Sequence, residues 1–274
     1  YEALGITDLD ELEAAAEAGE IQDVSGFGAK TEQNILENIP FARESQQRER
    51  LGEARPVADA MTDYLADSDA VDRVDVAGSI RRWKDTIGDV DVLVATADGP
   101  AAVEAFTDWG DGSVVEAGST KASVRVDGLR VDLRAVDPDE FGAALQYFTG
   151  SRAHNVAVRN RAIDRGLKLN EYGLFDVSDV ADPDADQRAG ERVAGDTESG
   201  VYEALDMAFV PPELRENDGE VAAAADDDLP ELVGPGDPRG DLHTHTDWSD
   251  GGVSIREMIA AAAERGRAFH AVTD

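Results

Sequence analysis

The alternation of apolar and polar positions divides the chain into a helical start, a mixed core and a second mixed segment near the end. Helical periodicity predicts an amphipathic helix over residues 9–18, capped by Thr7 or Asp8, and a second helix over residues 31–39. The same periodicity predicts later helices over residues 56–65, 140–148, 154–165 and 254–265. Period-two alternation predicts strands over residues 73–77, from residue 89 onward, over 121–126 and over 129–136.

Two aspartates stand at the start of one predicted strand. Asp89 and Asp91 are two residues apart, so their carboxylates share one face of the strand. Crowded carboxylates repel each other unless a cation lies between them, and hard oxygen ligands favour Mg²⁺. Such pairs also arise by chance among 59 acidic residues, and Asp182 with Asp184 is one in a predicted loop. The strand, together with the Gly78-Ser79 turn and the basic loop before it, favours a metal site at Asp89 and Asp91.

A turn and a basic loop precede this pair. Gly78 and Ser79 end the preceding strand, and the backbone N–H groups of such a turn can face an anion. The next residues place positive charge in the loop, at Arg81, Arg82 and Lys84. A phosphate-binding turn beside a pair of metal ligands is what phosphoryl or nucleotidyl transfer requires.

A third carboxylate lies in a predicted hairpin. Its two strands are joined by an Asp-Gly pair at positions 127–128, which favours a tight two-residue turn. On the second strand Arg130, Asp132 and Arg134 share one face, and neighbouring arginines keep an aspartate ionised. The alternative is a solvated ladder of charges on an antiparallel sheet. The position of Asp132 after the first pair favours a role in the site.

Composition limits the class of protein. The chain has 274 residues, enough for two or three small subdomains, and it has no cysteine. It also has no apolar run long enough to span a membrane and no visible leader, so we expect an intracellular, cytoplasmic protein. The net charge of −34 is unusual for DNA binding, which normally leaves a basic footprint. Either the chain does not bind nucleic acid or its surface is adapted to high salt. The clustering of basic residues at the motifs favours a halophilic source.

A glycine-containing turn separates the first two predicted helices. Residues 24–28 read Val-Ser-Gly-Phe-Gly, a pattern that resembles a helix-hairpin-helix motif. Its two glycines would let the backbone approach a DNA phosphate, and the next helix would offer its positive N-terminal end. An ordinary glycine turn between helices is the alternative.

The segment after residue 240 carries a second set of candidate metal ligands. His243 and His245 alternate on a predicted strand, and Asp250 follows in a Ser-Asp-Gly loop. Residues 271–274 resemble a further strand. A lone His-x-His is a weak signal, but the Asp-Leu-His-x-His and Ser-Asp-Gly blocks together resemble the opening of a polymerase-and-histidinol-phosphatase (PHP) domain.

Across nearly the whole chain, the motifs resemble those of a family X DNA polymerase. The matching blocks are Gly78-Ser79-x-Arg81-Arg82, Gly88-Asp89-x-Asp91, Arg130-x-Asp132-x-Arg134, Tyr147-Phe148-Thr149-Gly150-Ser151, Asn155, Arg159 and Asn170-Glu171-Tyr172. The Gly-Ser and Asp-x-Asp blocks alone would fit any nucleotidyltransferase. The Tyr-Phe-Thr-Gly-Ser and Asn-Glu-Tyr blocks narrow the resemblance to family X.

This resemblance implies an α+β fold in five parts. They are a helix-hairpin-helix DNA-binding segment (1–47), a nucleotidyltransferase palm with a mixed or antiparallel sheet (48–139), a small helix-rich thumb (140–216), a flexible acidic linker (217–239) and the truncated start of a PHP domain (240–274). The first residue is Tyr1, and the remaining PHP ligands do not follow before Asp274. We therefore expect an internal fragment of a longer enzyme. His154 is expected on the surface of its helix.

The resemblance also implies a reaction, which is the template-directed addition of deoxynucleotides to a primer 3′-hydroxyl in gap or base-excision repair. The substrates would be deoxynucleoside triphosphates and gapped or primer-template DNA, and we expect a monomer with no membrane partner. Mg²⁺ or Mn²⁺ would be held by three catalytic residues, Asp89, Asp91 and Asp132. Zn²⁺ or Mn²⁺ would be held in a complete PHP domain by a set that includes His243, His245 and Asp250.

Further binding roles follow from the same resemblance. Residues implied in nucleotide binding are Arg48, Ser79, Arg82, Gly88, Tyr147, Phe148, Gly150 and Asn155. Arg48 has two neighbouring alternatives, Arg43 and Arg50. Residues implied in DNA binding are Val24, Gly26, Gly28, Lys30, Arg130, Arg134, Arg159, Glu171 and Tyr172.

Two other classes of protein remain open. In the first, the chain is a non-catalytic DNA-binding module whose aspartates are only surface charge, and it would show no Mg²⁺-dependent binding of triphosphates. In the second, it is a phosphoesterase or 3′-5′ exonuclease that uses His243, His245 and Asp250, which would require an intact sequence downstream.

Overall fold

The computed structural model describes residues 6–22, 24, 26–46, 48–110, 112–234 and 236–274, with the backbone alone described over 41–46. Ser25, within the predicted hairpin turn, lies outside the described residues. The chain divides into two compact units, residues 1–228 and 229–274. Across the described residues, no helix combines the length and the apolar character needed to cross a membrane.

Helices and strands alternate along most of the chain. The helices are α1 Leu9–Glu17, α2 Ala29–Gln46, α3 Leu51–Ala66, α4 Gly78–Arg81, α5 Gly99–Thr107, α6 Phe141–Thr149, α7 Arg152–Ile163, α8 Glu198–Ala204, α9 Glu220–Ala225 and α10 Ile255–Glu264, with 3₁₀ turns at Pro138–Glu140 and Pro212–Leu214. The strands are β1 Glu49–Arg50, β2 Arg73–Val76, β3 Thr86–Ile87, β4 Asp89–Ala95, β5 Ser113–Ala117, β6 Lys121–Val126, β7 Leu129–Val136, β8 Leu167–Asn170, β9 Gly173–Asp176, β10 Glu191–Ala194, β11 Gly240–Thr244 and β12 Phe269–Val272.

A five-stranded mixed sheet forms the centre of the first unit. Its strand order is β2-β4-β7-β6-β5, in which β4 and β7 are parallel and the other neighbours are antiparallel. Alternate valines of β4 and alternate apolar residues of β7 pack with α3 and α5 on one face of the sheet. On the other face, Leu93 and Ala95 of β4 pack against Phe141 and Leu145 of α6. Apolar residues of β4 therefore lie under helices on both faces of the sheet, while its two aspartates, Asp89 and Asp91, share the face that α6 covers.

The helical start forms a small cluster of its own. Asp8 caps α1, since its carboxylate accepts a hydrogen bond from the backbone N–H of Glu11 at 2.9 Å. Ile6 and Ile21 are buried in this cluster, and Leu36 of α2 packs against it. The second helix is longer than the periodicity predicts, because it continues through Pro40 to residue 46.

The interpretation of residues 217–239 as a flexible linker is wrong for the part that forms α9. Glu220 and Ala224 are buried, and the backbone N–H of Ala208 donates to the carbonyl of Ala224 at 2.9 Å. The helix is only six residues long and mostly alanine, so its apolar face is too short to show a period in the sequence. The first unit continues to residue 228.

The expectation that His154 lies on a helix surface is also wrong. Its side chain is fully buried, with Nδ1 2.6 Å from Oε1 of Glu220 and Nε2 3.0 Å from the Tyr202 hydroxyl. Burial lowers the pKa of His154, although the hydrogen bond with Glu220 opposes that shift. A partner 66 positions away along the chain cannot be read from local periodicity.

The second unit pairs β11 with β12 in parallel and connects them through α10. Ser254 caps this helix and forms a capping box with Glu257. The sequence places the second strand at residues 271–274, whereas β12 covers Phe269–Val272.

A buried ion cluster joins the centre of the first unit to its later helices. Glu198 of α8 accepts hydrogen bonds from both terminal nitrogens of Arg81 at 2.9 Å and from the fully buried Arg215. Arg215 also donates to the carbonyl of Val210. Burial acts to raise the pKa of Glu198, but the two arginines outweigh it and hold that pKa below its ordinary value.

We expect Glu198→Gln to lower the free energy of unfolding of the first unit by about 3 kcal/mol or more, because it leaves the fully buried Arg215 without a carboxylate partner and removes the nearer carboxylate of Arg81. Urea unfolding of the full chain, followed by tryptophan fluorescence in molar KCl, measures this. Glu203→Gln, on the exposed part of the same helix, is the matched control and should change little.

The difference between wild type and Glu198→Gln should shrink as the pH falls. A carboxyl group whose pKa is lowered by folding stabilises the folded state at pH values above its pKa in the unfolded chain, which is 4.5 for glutamate. That contribution is lost as the pH falls through the lower pKa of the folded state. Equal stability of Glu198→Gln and wild type at pH 7 would contradict a stabilising role for the cluster.

Candidate active site

Three carboxylates converge where β4 and β7 begin. The parallel register pairs Asp89 with Arg130 and Asp91 with Asp132, so the side chains of Asp91 and Asp132 project side by side from neighbouring strands. Ligand oxygens of Asp89, Asp91 and Asp132 lie within 4.8 Å of one another. Oxygen donors this close suit a divalent cation such as Mg²⁺. The donor set predicted from the sequence is therefore assembled, and it fits a metal ion.

The electrostatics of the cluster favour a cation. Burial, followed by the charges of Asp89 and Asp132, raises the pKa of Asp91 to about 7. Arg134 and Arg82 act in the opposite direction. Burial and the charge of Asp132 also raise the pKa of Asp89. A cation among the three would offset both the cost of burying these charges and the repulsion between them.

The predicted arginines around Asp132 have different contacts. Arg130 donates from Nε to Oδ1 of Asp132 at 2.7 Å and to Oδ2 at 3.0 Å. Arg134 instead lies over the ring of Phe148, at 4.4 Å from its centroid. Ser123 of β6 also donates its hydroxyl to Asp132. Motif analysis missed this serine, although the two-residue hairpin turn fixes a register that pairs positions 123 and 132.

The predicted phosphate turn is the start of α4, directly against the carboxylates. Gly78 has a φ of +61°, and a Cβ at this position would lie 2.0 Å from Oδ2 of Asp91. Only glycine can therefore bring the backbone this close to Asp91. Ser79 follows it in the same helical turn.

Basic side chains surround a neighbouring cavity lined by Arg48, Arg82, Trp83, Lys84, Asp85, Thr86 and Glu213. Arg82 and Lys84 both approach Oε1 of Glu216, at 2.9 and 3.3 Å. Arg48 donates to the hydroxyl of Thr86 at 2.9 Å, and one of its terminal nitrogens lies 3.2 Å from the position of a Cβ on Gly88. The structure thus brings Arg48, Arg82 and Gly88 together, as the sequence predicts.

A second cavity connects the carboxylates to the segment between α6 and α7. Its lining residues are Arg82, Asp91, Tyr147, Phe148, Thr149, Gly150, Ser151, Arg152, Asn155, Val156 and Arg159. Asn155 donates from Nδ2 to the carbonyl of Tyr147 at 2.7 Å, and Gln146 donates to its Oδ1 at 3.1 Å. These bonds fix the orientation of the Asn155 amide. Six residues predicted to contact nucleotide or DNA thus share one cavity with Asp91.

The other residues predicted to bind DNA lie in two places. Glu171 and Tyr172 line a groove with Lys121, Arg134 and Phe148, and the guanidinium of Arg188 lies 3.8 Å from the ring centroid of Tyr172. Val24, Gly26 and Gly28 lie in the turn between α1 and α2, and Lys30 is exposed in the first turn of α2. These four do not line any of the cavities above.

The second candidate metal site is only partly assembled. Nε2 of His243 lies 3.0 Å from Nε2 of His245. Asp250 lies 3.2 Å from the other nitrogen of His245, Nδ1, on the opposite side of that ring. Within the described residues, only Asp89, Asp91 and Asp132 form a group of three with mutually close ligand atoms.

Comparisons with known proteins agree with this geometry. The family model for the DNA polymerase beta thumb matches residues 144–216. The chain is 35% identical, over 279 aligned positions and its full length, to the DNA polymerase/3′-5′ exonuclease PolX of Bacillus subtilis. Over its full length the chain is thus similar to a family X DNA polymerase. It is also similar to DNA polymerase lambda of Rattus norvegicus, at 30% identity over 159 residues that cover 51% of this chain.

The chain spans 47% of the length of the Bacillus protein and 28% of the length of the rat protein. Its fold is similar to the crystal structure of Leishmania infantum polymerase beta in a ternary gap complex, with a TM-score of 0.57. That match covers 77% of this chain and 82% of the Leishmania chain at 21% identity. It confirms the α+β polymerase fold.

We expect Mg²⁺ to raise the thermal unfolding temperature of the chain by a few degrees, because an ion that binds only the folded state stabilises it. Asp91→Asn should abolish the increment and should raise the unfolding temperature without metal, since it removes a crowded charge. Calorimetry with EDTA or with Mg²⁺ measures both effects.

Asp184→Asn, in an exposed loop, is the control and should keep the full Mg²⁺ response. An equal response in Asp91→Asn and wild type would show that the metal binds elsewhere.

Proposed function

We propose that the chain is the catalytic part of a template-directed DNA polymerase. It would add deoxynucleotides to a primer 3′-hydroxyl by a two-metal mechanism, in gap or base-excision repair. The observation that carries this proposal is the group of three carboxylates beside a basic cavity and a glycine turn. The names of the Bacillus and rat relatives support it.

Each carboxylate has a distinct part in this proposal. Asp89 and Asp91 would hold both ions, Mg²⁺ or Mn²⁺, and Asp132 would join them at the ion nearer the primer end. When bound, the ions supply activation of the 3′-hydroxyl and neutralise charge on the triphosphate. Arg130 would orient Asp132, to which it already donates two hydrogen bonds. Arg134, stacked on Phe148, would help to orient the primer end.

The basic cavity would take the triphosphate. Ser79, Arg82 and the backbone of Gly88 would bind the β- and γ-phosphates, with Arg48 beside them. Tyr147, Phe148 and Gly150 would bound the sugar, and the fixed amide of Asn155 would contact the incoming base. Arg159, in the same cavity, would approach the template.

DNA contacts and the high negative charge belong to the same proposal. The turn between α1 and α2, with Lys30 after it, would bind a DNA phosphate as a helix-hairpin-helix, and Glu171 and Tyr172 would contact DNA from their own groove. At about 1 M salt the Debye length is roughly 3 Å, so diffuse repulsion from a charge of −34 is largely screened. Local basic contacts would then decide binding, which fits a halophilic source.

The test of this function is extension of a primer on one-nucleotide-gapped DNA with Mg²⁺ or Mn²⁺ in molar KCl. We expect Asp132→Asn to abolish extension while the Kd for the deoxynucleoside triphosphate stays within about threefold of wild type, because Asp132 would act at the 3′-oxygen and not on the triphosphate. Quenched-flow extension and fluorescence titration measure the two quantities.

Asp184→Asn should extend like wild type. Equal loss of nucleotide binding and extension in Asp132→Asn would contradict this division of roles. If wild type neither extends the primer nor binds triphosphates with Mg²⁺, the chain is instead a non-catalytic DNA-binding module.

A second candidate function rests on the close pair of imidazoles, His243 and His245. We infer that residues 240–274 form part of a PHP-type domain, in which His243, His245 and Asp250 would belong to a Zn²⁺ or Mn²⁺ site. Hydrolytic sites with two or three metals need more ligands than the two histidines and Asp250. The proposal for this chain is therefore polymerase activity without exonuclease activity.

We expect no release of nucleotides from 5′-labelled single-stranded DNA incubated with Mn²⁺ and the Asp89→Asn variant, in which the polymerase site is disabled. Gel analysis of the labelled strand measures this. The matched variant combines Asp89→Asn with His243→Ala. Release by Asp89→Asn that disappears in the double variant would show that the second unit is active by itself.

A further inference from the structure

Ser123 is a buried polar residue in a strand whose neighbours are apolar. It lies on β6 and is 5% exposed, while Ala122 and Val124 on either side pack into the main hydrophobic core. Because side chains alternate along a strand, Ser123 faces away from that core. The antiparallel register pairs it directly with Asp132 of β7. Its side chain therefore faces the carboxylates.

Three side chains form a closed hydrogen-bonded triangle at this position. Ser123 donates its hydroxyl hydrogen to Oδ1 of Asp132. Arg130 donates from Nη2 to the Ser123 hydroxyl oxygen at 3.0 Å and from Nε to Asp132. The hydroxyl is thus both donor and acceptor. Since Arg130 can only donate, the serine proton must go to Asp132.

The triangle treats the two oxygens of Asp132 differently. Oδ1 accepts from Ser123 and, at 2.7 Å, from Arg130, whereas Oδ2 accepts from the same Arg130 nitrogen at 3.0 Å. Two donors on one oxygen fix the orientation of the carboxylate about the Cβ–Cγ bond. The second oxygen keeps more of its acceptor capacity for a cation.

We propose that Ser123 is a positioning residue for the metal site, and that its hydroxyl fixes the Asp132 carboxylate so that one oxygen stays available to the ion. No charge is added to a site that already has three close carboxylates. A neutral hydroxyl can orient Asp132 as a second arginine would, but it does not form a second ion pair with the carboxylate. The kinetic part of this proposal depends on the proposed polymerase function, and the metal-binding part does not.

Three substitutions separate hydrogen bonding from packing. Ser123→Ala removes the hydroxyl. Ser123→Cys keeps nearly the same volume but offers only a weak donor, and Ser123→Thr keeps the hydroxyl. Ser113→Ala, on the exposed edge strand β5 of the same sheet, is the control.

The first measurement is Mn²⁺ binding to the full chain without DNA, by electron paramagnetic resonance in molar KCl. Loss of a hydrogen bond that orients a metal ligand typically weakens metal binding by about tenfold or more. We expect that loss in Ser123→Ala and Ser123→Cys, and affinities within about twofold of wild type in Ser123→Thr and Ser113→Ala. Far-ultraviolet circular dichroism identifies any variant that fails to fold. If either Ser123→Ala or Ser123→Cys fails to fold, the other is still compared with wild type and decides the outcome.

The second measurement is steady-state filling of a one-nucleotide gap. The kcat of Ser123→Ala and Ser123→Cys should fall by about tenfold or more, with the KM for the deoxynucleotide within about twofold, because Asp132 would act at the primer end. Ser123→Thr should restore kcat.

Wild-type Mn²⁺ affinity in both Ser123→Ala and Ser123→Cys would overturn the proposal. Weakened Mn²⁺ binding in Ser123→Ala alone, with Ser123→Cys like wild type, would also overturn it. That result would show that the side chain acts through packing and not through its hydrogen bond. If wild type fills no gap but the expected order of Mn²⁺ affinities holds, the polymerase proposal fails and the role of Ser123 stands. If wild type fills the gap and all variants bind Mn²⁺ equally, only the role of Ser123 fails.

Discussion

The parallel pairing of β4 with β7 is the constraint on which the rest of the site depends. It places Asp91 opposite Asp132, one strand apart, and Asp89 follows on the same face because of the strand period. Like charges this close oppose folding, and burial of Asp91 adds to that cost. The opposite face of both strands is packed with Val90, Val92, Val131 and their neighbours in the main core. Apolar packing on one face therefore holds together carboxylates that repel each other on the other face.

A second set of contacts fixes the walls around these strands. Arg81 is the last residue of α4 and Arg82 follows it as the C-cap, and both reach distant parts of the first unit. Arg81 binds Glu198 of α8, and Arg82 donates to the carbonyl of Thr149 and to Glu216. One short helix thus connects the glycine turn, the end of α6 and the segment after the 3₁₀ turn at Pro212–Leu214. Both arginines therefore fix the position of α4 beside the cavity that Arg82 and Asp91 line.

Local patterns predicted the parts of the fold that local physics decides. Strict alternation and an Asp-Gly turn gave the bounds of β6 and β7 correctly, and Asp89 and Asp91 were placed correctly on one face of β4. The same hairpin register contained the pairing of Ser123 with Asp132, but a serine beside apolar residues gave no chemical signal in the sequence. His154, Glu198 and Arg215 could not be predicted in this way, because each is buried by a partner far along the chain. The helix α9 was missed since six mostly small residues show no period.

The glycine at position 78 couples the two proposed functions of the site. A single added carbon there would overlap the side-chain oxygen of Asp91, so the backbone turn proposed to bind a phosphate and the carboxylate proposed to hold a cation are in direct contact. Neither can be moved or enlarged without displacing the other. A substitution at one of these two positions during evolution would require a compensating change at the other. The absence of one methyl group at Gly78 thus sets how close a bound anion and a bound cation could lie.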